Sequence, residues 1–596
     1  MVWCFAFMQF CNEHLKLIIM KNLLLLFFMA LVGNFANGQT VQWASNNPGY
    51  LDYQNHTVAT DSQGNVYTMM NYGGGLTDFD PGPGVFNMSA YLLTMYIQKF
   101  DVNGNFVWAK QVGGPPGATT LLSCRAGALT IDASDNIYFS GQIQSVLGVG
   151  YPVDLDMGTG VFTLPIPSVY TAFIEKLDPA GNFVWVKAFV NPTNNSPDKT
   201  DVVYCLKTDA QGNIFATGSF SASPDFDPNA GVSILSTTNS RANFILKLNS
   251  SGSLVWVKTM ECTTSVASAS SVAIDLDSNG NIITLGIYSG ILDTDPGVGV
   301  HTIQAGVYDP SCFCYPGGGV YISKLDANGN YVWGYDMGGQ NTLLNGLPSM
   351  VIDSNNNILI SSYNGRLKDF DFGPGVFTLG NSSFVLKIDN DANFIWAKTL
   401  GFNASSNSIA LDAAGNVYTA GTFYGPAQDF DPGAGTYILT PSTVNIYISK
   451  LDTNGNFVWA NKIGNANSSL QNYSLTVAQS GKVILNGSVS SGGFNKSTTV
   501  SAGGFLASYT QPTLATNQFE LEQNISIYPN PSSGNYNITI NEDLIGAKVT
   551  VYNLLSQKVK AFSLDVVTTN QNLDTGMYLL EIEKEGVVTT KKLLVN

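Results

Sequence analysis

An all-β chain is what this sequence predicts: seven four-stranded sheets set in a ring, with a small β-sandwich behind them. Three observations predict it. First, one phrase recurs: FIEKLDPAGNFVWVK at 173–187 returns in varied form at 96–110, 244–258, 321–335, 384–398 and 447–461, giving six complete copies. In each, two runs of alternating apolar and polar residues flank an Asp-x-x-Gly-Asn type of turn, a β-hairpin signal because Gly takes the positive φ that such a turn needs. Second, another hairpin lies upstream in every unit, at 58–70, 129–141, 206–218, 272–286, 350–362, 409–421 and 475–487, which makes seven. Third, the composition suits short strands and many turns: 12% charged residues, about half the usual share, with 60 Gly, 24 Pro and 11% aromatics in 596 residues. Self-similarity at this scale means stacked supersecondary units.

The N-terminal residues 1–38 read as a targeting region. Lys21 and Asn22 precede the apolar run Leu23–Val32, and Ala36-Asn37-Gly38 supplies small residues for cleavage, which is signal-peptide anatomy with Met20 as the expected start. The run is too short for a stable membrane span, and no later segment is long and apolar enough for one.

Residues 39–511 hold the repeats, and each unit reads as two hairpins separated by a long loop, hence four antiparallel strands. Seven such sheets make a seven-bladed β-propeller, in which each sheet buries both faces against its neighbours. The seventh unit has its first hairpin and a third strand at 505–509 but no fourth. Thr40–Ala44, an orphan copy of a fourth strand, is expected to complete it and close the ring. That pairing puts seven Trp at matching places: Trp43, Trp108, Trp185, Trp256, Trp333, Trp396 and Trp459. One Trp per blade reads as a packing ladder rather than a stacking platform for sugars or bases. Asp135 and Asn356 stand where the turn Gly is missing, both tolerant of left-handed geometry, whereas Ala392 is a departure expected to cost stability.

Between the second and third strands of six units lies an acidic phrase, such as DFDPGPG at 78–84. It sets out the pairs Asp78 and Asp80, Asp154 and Asp156, Asp225 and Asp227, Asp293 and Asp295, Asp369 and Asp371, and Asp429 and Asp431. Two carboxylates two residues apart, ahead of a Pro/Gly turn that exposes carbonyls, begin an oxygen-only set for calcium, but a full set needs further ligands or water. The competing reading is a turn in which the Asp side chains accept backbone N–H groups. A four-stranded meander sends the second-to-third loop and the sheet-to-sheet connection to one face. The acidic loops are therefore expected beside the variable connections Gln111–Leu122, Phe189–Lys199 and the insertion around Cys312, a face suited to recognition. The recurring Lys99, Lys176, Lys247, Lys324, Lys387 and Lys450 are expected to lay their stems on neighbouring aromatics and pair with carboxylates.

A net charge of −16 argues against a nucleic-acid partner, whose phosphates call for basic clusters. Beyond Cys4 and Cys11 in the leader, the cysteines are Cys124, Cys205, Cys262, Cys312 and Cys314; any disulfide pairing stays open, and with His14, His56 and His301 they supply a zinc site poorly. No phosphate loop, H-E-x-x-H or G-x-S-x-G motif is present.

After the polar linker 512–524 the pattern changes to ISIYPNPSSGNYNITI and further alternating segments to residue 596, suited to a small Ig-like β-sandwich over 525–596. Tyr528-Pro529-Asn530-Pro531 with Gly534, Val551-Tyr552-Asn553, Gly576-x-Tyr578 and Lys591-Lys592 resemble the C-terminal sorting domain of the Bacteroidetes type IX secretion system; Ser556 departs where Gly is common. That resemblance implies handling by the type IX machinery, an extracellular or outer-membrane-surface location, and removal of the domain after export. The hairpin phrase K-L-D-x-N-G-N-F-V-W-A-K, with D-x-x-G-N-V-Y-x-x-G upstream, resembles the propeller repeats of secreted Bacteroidetes proteins of the SBBP kind. It is also similar to quinoprotein repeats, which would imply an adjacent-cysteine disulfide, but Cys312 and Cys314 are not adjacent. The expected function is a non-catalytic propeller at the cell surface or released from it, binding a glycan or protein or serving as surface structure, with a polysaccharide-acting propeller enzyme as the alternative.

Overall fold

The computed structural model describes residues 40–596 except 49–57, 74, 91–92, 113–121, 146–151, 159, 166–169, 192–200, 264–266, 306–317, 339–346, 365–367, 380–381, 407, 465–468, 492–502, 511–524, 542–543, 554–556 and 585–586. The expected leader, the linker and Cys312 with Cys314 lie outside the described residues. What is described is all-β, without an α-helix, and falls into two compact units, one within Gly38–Thr510 and one within Gln511–Asn596.

The first unit consists of four-stranded antiparallel sheets, each hydrogen-bonded in the order of a meander. Sheet one takes Val58–Thr60, Val66–Tyr72, Thr94–Phe100 and Phe106–Val112, and sheet two Leu122–Ile131, Ile137–Ser145, Tyr170–Leu177 and Phe183–Phe189. Sheet three takes Val202–Thr208, Ile214–Phe220, Ala242–Leu248 and Leu254–Lys258, and sheet four Ala269–Leu276, Ile282–Tyr288, Gly319–Leu325 and Tyr331–Gly338. Sheet five takes Ser349–Ile352, Ile358–Asn364, Ser382–Ile388 and Phe394–Thr399, and sheet six Ser408–Leu411, Val417–Phe423, Asn445–Leu451 and Phe457–Ile463. Sheet seven takes Ser469–Val477, Val483–Ser491 and Gly503–Thr510, and its edge is Thr40–Asn47, antiparallel to Gly503–Thr510 with Trp43 opposite Ser508. Each first strand neighbours those of the sheets before and after it, and Val58–Thr60 lies beside both Leu122–Ile131 and Ser469–Val477.

The turns explain why these segments form hairpins. In the first, Asp61 Oδ1 accepts the N–H groups of Gln63 and Asn65 at 3.1 and 2.8 Å while Asn65 Nδ2 donates to Oδ2 at 2.7 Å, so one carboxylate closes the turn that Gly64 makes possible at φ 81°. Asp135, Asn356 and Ala392 occupy the same left-handed position, at φ 62°, 63° and 65°. The turn between third and fourth strands carries a second constraint. A Cβ on Gly104 would come within 2.3 Å of the Trp43 ring, and one on Gly181 within 2.8 Å of Trp108; Trp256 and Trp396 cover Gly329 and Gly455 in the same way. Each of these Trp lies flat on the turn of the next sheet, so the ladder belongs to packing between sheets.

In the C-terminal unit, Ile525–Tyr528, Asn535–Ile540 and Thr568–Asn572 form one sheet, and Lys558–Leu564, Ala547–Asn553, Gly576–Lys584 and Val587–Val595 another. Alternate residues point inward and share one core, in which Tyr536, Ile538, Val551, Leu580, Ile582 and Leu593 are fully buried.

Candidate functional site

Five of the six acidic phrases form the tips of short two-stranded ribbons, for example Gly75–Asp78 with Asn87–Ala90, and the one at 225–231 closes on a single bridge between Asp225 and Ile234. Asp78 Oδ1 accepts the N–H groups of Asp80 and Phe86 at 3.0 and 2.8 Å, and Asp80 Oδ1 accepts that of Gly82 at 2.8 Å. Asp154, Asp225, Asp293, Asp369 and Asp429 repeat the first pair of bonds at 2.8–3.1 Å. Asp156, Asp227, Asp295, Asp371 and Asp431 repeat the other at 2.7–2.9 Å. The Oδ2 atom of the second Asp lies over the backbone of a Gly: a Cβ at Gly84, Gly160, Gly231, Gly299, Gly375 or Gly435 would meet it within 2.2 Å. One oxygen of every carboxylate is thus engaged in closing the tip, and the Gly of the phrase is there for close approach. Among the described residues, no group of three or more His, Cys, Asp or Glu side chains converges as metal ligands would.

Two of the phrases begin beside a sheet-to-sheet connection, as expected: the Asp225 N–H donates to Val190 O at 2.8 Å and the Asp293 N–H to Glu261 O at 2.9 Å. From there the ribbons run along their sheets. Phe86 packs on Phe106 with ring centroids 5.2 Å apart, Phe162 on Phe183 at 5.2 Å, Phe377 on Phe394 at 4.7 Å and Tyr437 on Phe457 at 5.0 Å. Each partner is the first residue of a fourth strand, next to the turn at the opposite end of the sheet from the second-to-third connection. In these four sheets the ribbon folds back along its own sheet and rests its aromatic on the fourth strand, where Phe86, Phe162 and Phe377 stay partly open to solvent.

The recurring lysines take the expected positions. Lys387 pairs with Asp353 at 2.9 Å, Lys450 with Asp412 at 3.1 Å, Lys324 with Asp277 at 3.2 Å and Lys99 with Asp61 at 3.6 Å. Lys99, Lys176, Lys247 and Lys450 also lie over Tyr67, Tyr138, Phe215 and Tyr418, 4.8–4.9 Å from the ring centroids. Burial pushes the carboxyls of Asp277, Asp353 and Asp412 upward, but hydrogen bonds from Asn281, Asn357 and Asn416 and from the paired Lys outweigh it and hold them below the ordinary range. Cys124, Cys205 and Cys262 are buried thiols without a disulfide, and burial pushes Cys124 up to about 12.

Two features escape a reading of motifs. Glu175, on the third strand of sheet two, is fully buried with no hydrogen-bond partner for either oxygen among the described residues. Burial, reinforced by Asp156, pushes its carboxyl well above the usual range, with Lys110 opposing. Gln98, at the same place in sheet one, donates Nε2 to Phe79 O at 2.6 Å. The second feature is a cavity of about 370 Å³, lined by the first strands of all seven sheets. Two residues before each first-hairpin turn lie Ala59, Thr130, Lys207, Asp275, Val351, Ala410 and Thr476, a level with one cation and one anion. Lys207 Nζ stands 3.4 Å from Asp275 Oδ1. Alignment of the seven phrases on their turns would have exposed this pair, because every other unit is neutral there.

Residues 526–596 match the family model of the secretion system C-terminal sorting domain, so the chain carries a type IX sorting tail, the mark of a secreted or cell-surface protein. An uncharacterized WD repeat-containing protein of Acanthamoeba polyphaga mimivirus is 23% identical over 518 residues, 75% of this chain, and the chain spans 36% of that protein's length. Similar solved structures include the β-propeller domain of Cps50 (Swd1) from Myceliophteria thermophila, at 8% identity and TM-score 0.38, covering 80% of this chain and 100% of that one. They also include PorZ, an essential surface component of the type IX secretion system of Porphyromonas gingivalis, at 10% identity and TM-score 0.23, covering 93% of this chain and 100% of that one.

Proposed function

We propose that the chain is an exported, non-catalytic ligand-binding propeller of the SBBP kind. Its seven sheets are the blades of a closed ring, and strand 40–47 is the clasp. Its Ig-like tail, 525–596, is recognised by the type IX machinery and removed on export, and the ring binds a glycan or protein outside the cell. The observation that carries the non-catalytic part is the fate of the recurring ionisable groups. The ribbon aspartates accept backbone N–H groups at the tips, and the hairpin aspartates do the same in their turns while four of them also pair with Lys. Side chains spent on the fold are not available as a nucleophile, base or acid. The first strands neighbour one another from sheet one round to sheet seven and back, in support of closure.

A glycan array probed with the released propeller, run beside hydrolase and lyase assays on the same polysaccharides, tests the reading. Binding without turnover is expected, and turnover of any polysaccharide rejects it in favour of an enzyme. Calcium at the twelve ribbon aspartates is a separate proposal. It would use the oxygens not engaged in the tip and complete its shell with water. A melting temperature raised by calcium and lowered again by EDTA is the expected result, and an unchanged one removes calcium from the account.

A further inference from the structure

The last strand of the C-terminal unit, Val587–Val595, pairs along one side with Gly576–Lys584, and a single side chain closes much of its other side. Asn530 Nδ2 donates to Lys592 O at 2.7 Å, and Asn530 Oδ1 accepts the Leu594 N–H at 3.0 Å. One step further, the Ser532 N–H donates to Leu594 O and the Asn596 N–H to Ser532 O, both at 2.8 Å, in a parallel bridge. The Asn530 amide thus takes the place of one residue of a neighbouring strand, and every backbone group on the outer side from Lys592 O to Asn596 N is occupied. A strand offered by a partner would find no free donor or acceptor there, so this stretch is readable only through its side chains. Leu593 and Val595 are buried in the core, and Lys592 and Leu594 therefore face the opposite way. Lys592 is exposed and makes no ion pair among the described residues, not even with Glu581, diagonal to it across the strand pair. Leu594 lies opposite Met577 and Lys592 opposite Leu579, which sets the cation beside a small, partly open apolar patch. The outward face of the other sheet carries Ser526, Asn537, Thr539, Thr568 and Asn570 instead, all polar and uncharged.

We propose that Asn530 is a positioning residue for export: it holds the end of the last strand so that Lys592 and Leu594 stand out from a folded sheet, where an acidic surface of the type IX machinery receives Lys592. The two bonds of its amide fix the backbone on both sides of Leu593, and they set which side chains point outward. An acidic partner supplies the counter-charge that Lys592 lacks within the chain. The inference rests on the reading of 525–596 as the part that the machinery recognises, and it goes beyond that reading by naming the strand, the cation and the residue that holds them in place.

Export of the full chain from cells that carry the type IX machinery tests it. Asn530→Ala and Lys592→Gln are each expected to lower the exported fraction by about tenfold, since removing one member of a charge contact is costly, and Lys592→Arg to retain it within about threefold because the charge is kept. Both residues act at one contact, so the double variant is expected to fall no further than the worse single variant, whereas two independent defects would multiply. Ile538→Val loosens the core of the tail without touching Asn530 or the last strand, and it is expected to export normally. Normal export of either single variant, multiplied losses in the double variant, or a loss in Ile538→Val equal to that in Asn530→Ala each overturns the proposal. Should Asn530→Ala leave the tail unfolded, Lys592→Gln at its exposed position still decides. Export of a chain ending at residue 510 would reject the tail as the recognised part, which is a different failure from normal export of Lys592→Gln where that truncation is retained.

Discussion

Sheet seven and the six sheets before it reach the same four-stranded form by different means. In sheets one to six the fourth strand follows the third through a tight turn; in sheet seven it comes from residues 40–47, over 450 positions away in sequence from its partner at 503–510. The polar residues change accordingly. Ala478 stands where the other first-hairpin turns have Asp, and Ser508 where the other third strands have Lys, so both members of the ion pair are replaced together. Sheet seven reaches outward instead: Lys482 Nζ donates to Val102 O at 3.1 Å and Asn486 Nδ2 to Thr68 Oγ1 at 2.7 Å, both in sheet one. Contiguous sheets both lock their own hairpins and bond to their neighbours, as Lys324 does in pairing with Asp277 and donating to Asn390 O at 3.1 Å. In the sheet made from two distant segments the internal Lys–Asp lock is gone and the ties to the neighbour remain.

The sharpest way to break this comparison is through the Trp ladder. Trp43→Ala is expected to cost about 3–4 kcal/mol, more than Trp396→Ala, because the strand that loses its anchor has no hairpin to hold it. Denaturant unfolding of the two variants measures this, and equal losses would show that the joint is not special. Next comes a cycle that builds the missing pair. Ser508→Lys alone buries an ammonium without a carboxylate and is expected to cost about 2–4 kcal/mol; Ala478→Asp in the same chain should recover most of it.

A smaller effect, of opposite sign, is expected at Glu175. Its carboxyl titrates above the unfolded-state value, so its contribution is fully present below about pH 4.3 and is lost as pH rises through the folded-state pKa. Glu175→Gln, which can donate as Gln98 does, should therefore be close to neutral at low pH and stabilising by about 1–2 kcal/mol at pH 7. The sign is reversed for Asp277, Asp353 and Asp412. Their pKa values are lowered, so their contribution is present above about pH 3.9 and fades as pH falls through the folded-state values. Thermal melts across acidic and neutral pH distinguish the two classes. The smallest effect belongs to the seam between sheets one and two, where the Ser62 N–H and hydroxyl donate to Asp135 at 2.8 and 2.7 Å. Ser62→Ala is expected to cost only about 0.5 kcal/mol, because the site is exposed.

That seam also shows why some residues were only half legible. Asp135 and Asn356 could be read as tolerated substitutes for Gly at a left-handed position. Their second role, bonding to Ser62 and Ser278 of the preceding sheet, depends on a neighbour far away in sequence. The recurring Lys and the aspartates of their own hairpins could be placed in advance because strand register brings them together locally. The acidic ribbons could not, since where they fold is set by aromatic partners on the outer strand.

Local chemistry was written in the chain itself: the alternation of apolar residues, the Asp-x-x-Gly-Asn turns, the sevenfold count of first hairpins and the change of pattern after residue 511 all act over a few neighbouring residues, so periodicity and turn geometry suffice to read them. The tertiary structure alone decided how the acidic ribbons run along their sheets, that Glu175 is sealed without a partner among the described residues, and that Lys207 and Asp275 meet across two first strands. Those outcomes depend on how whole sheets are stacked, and stacking brings together positions that no local period links.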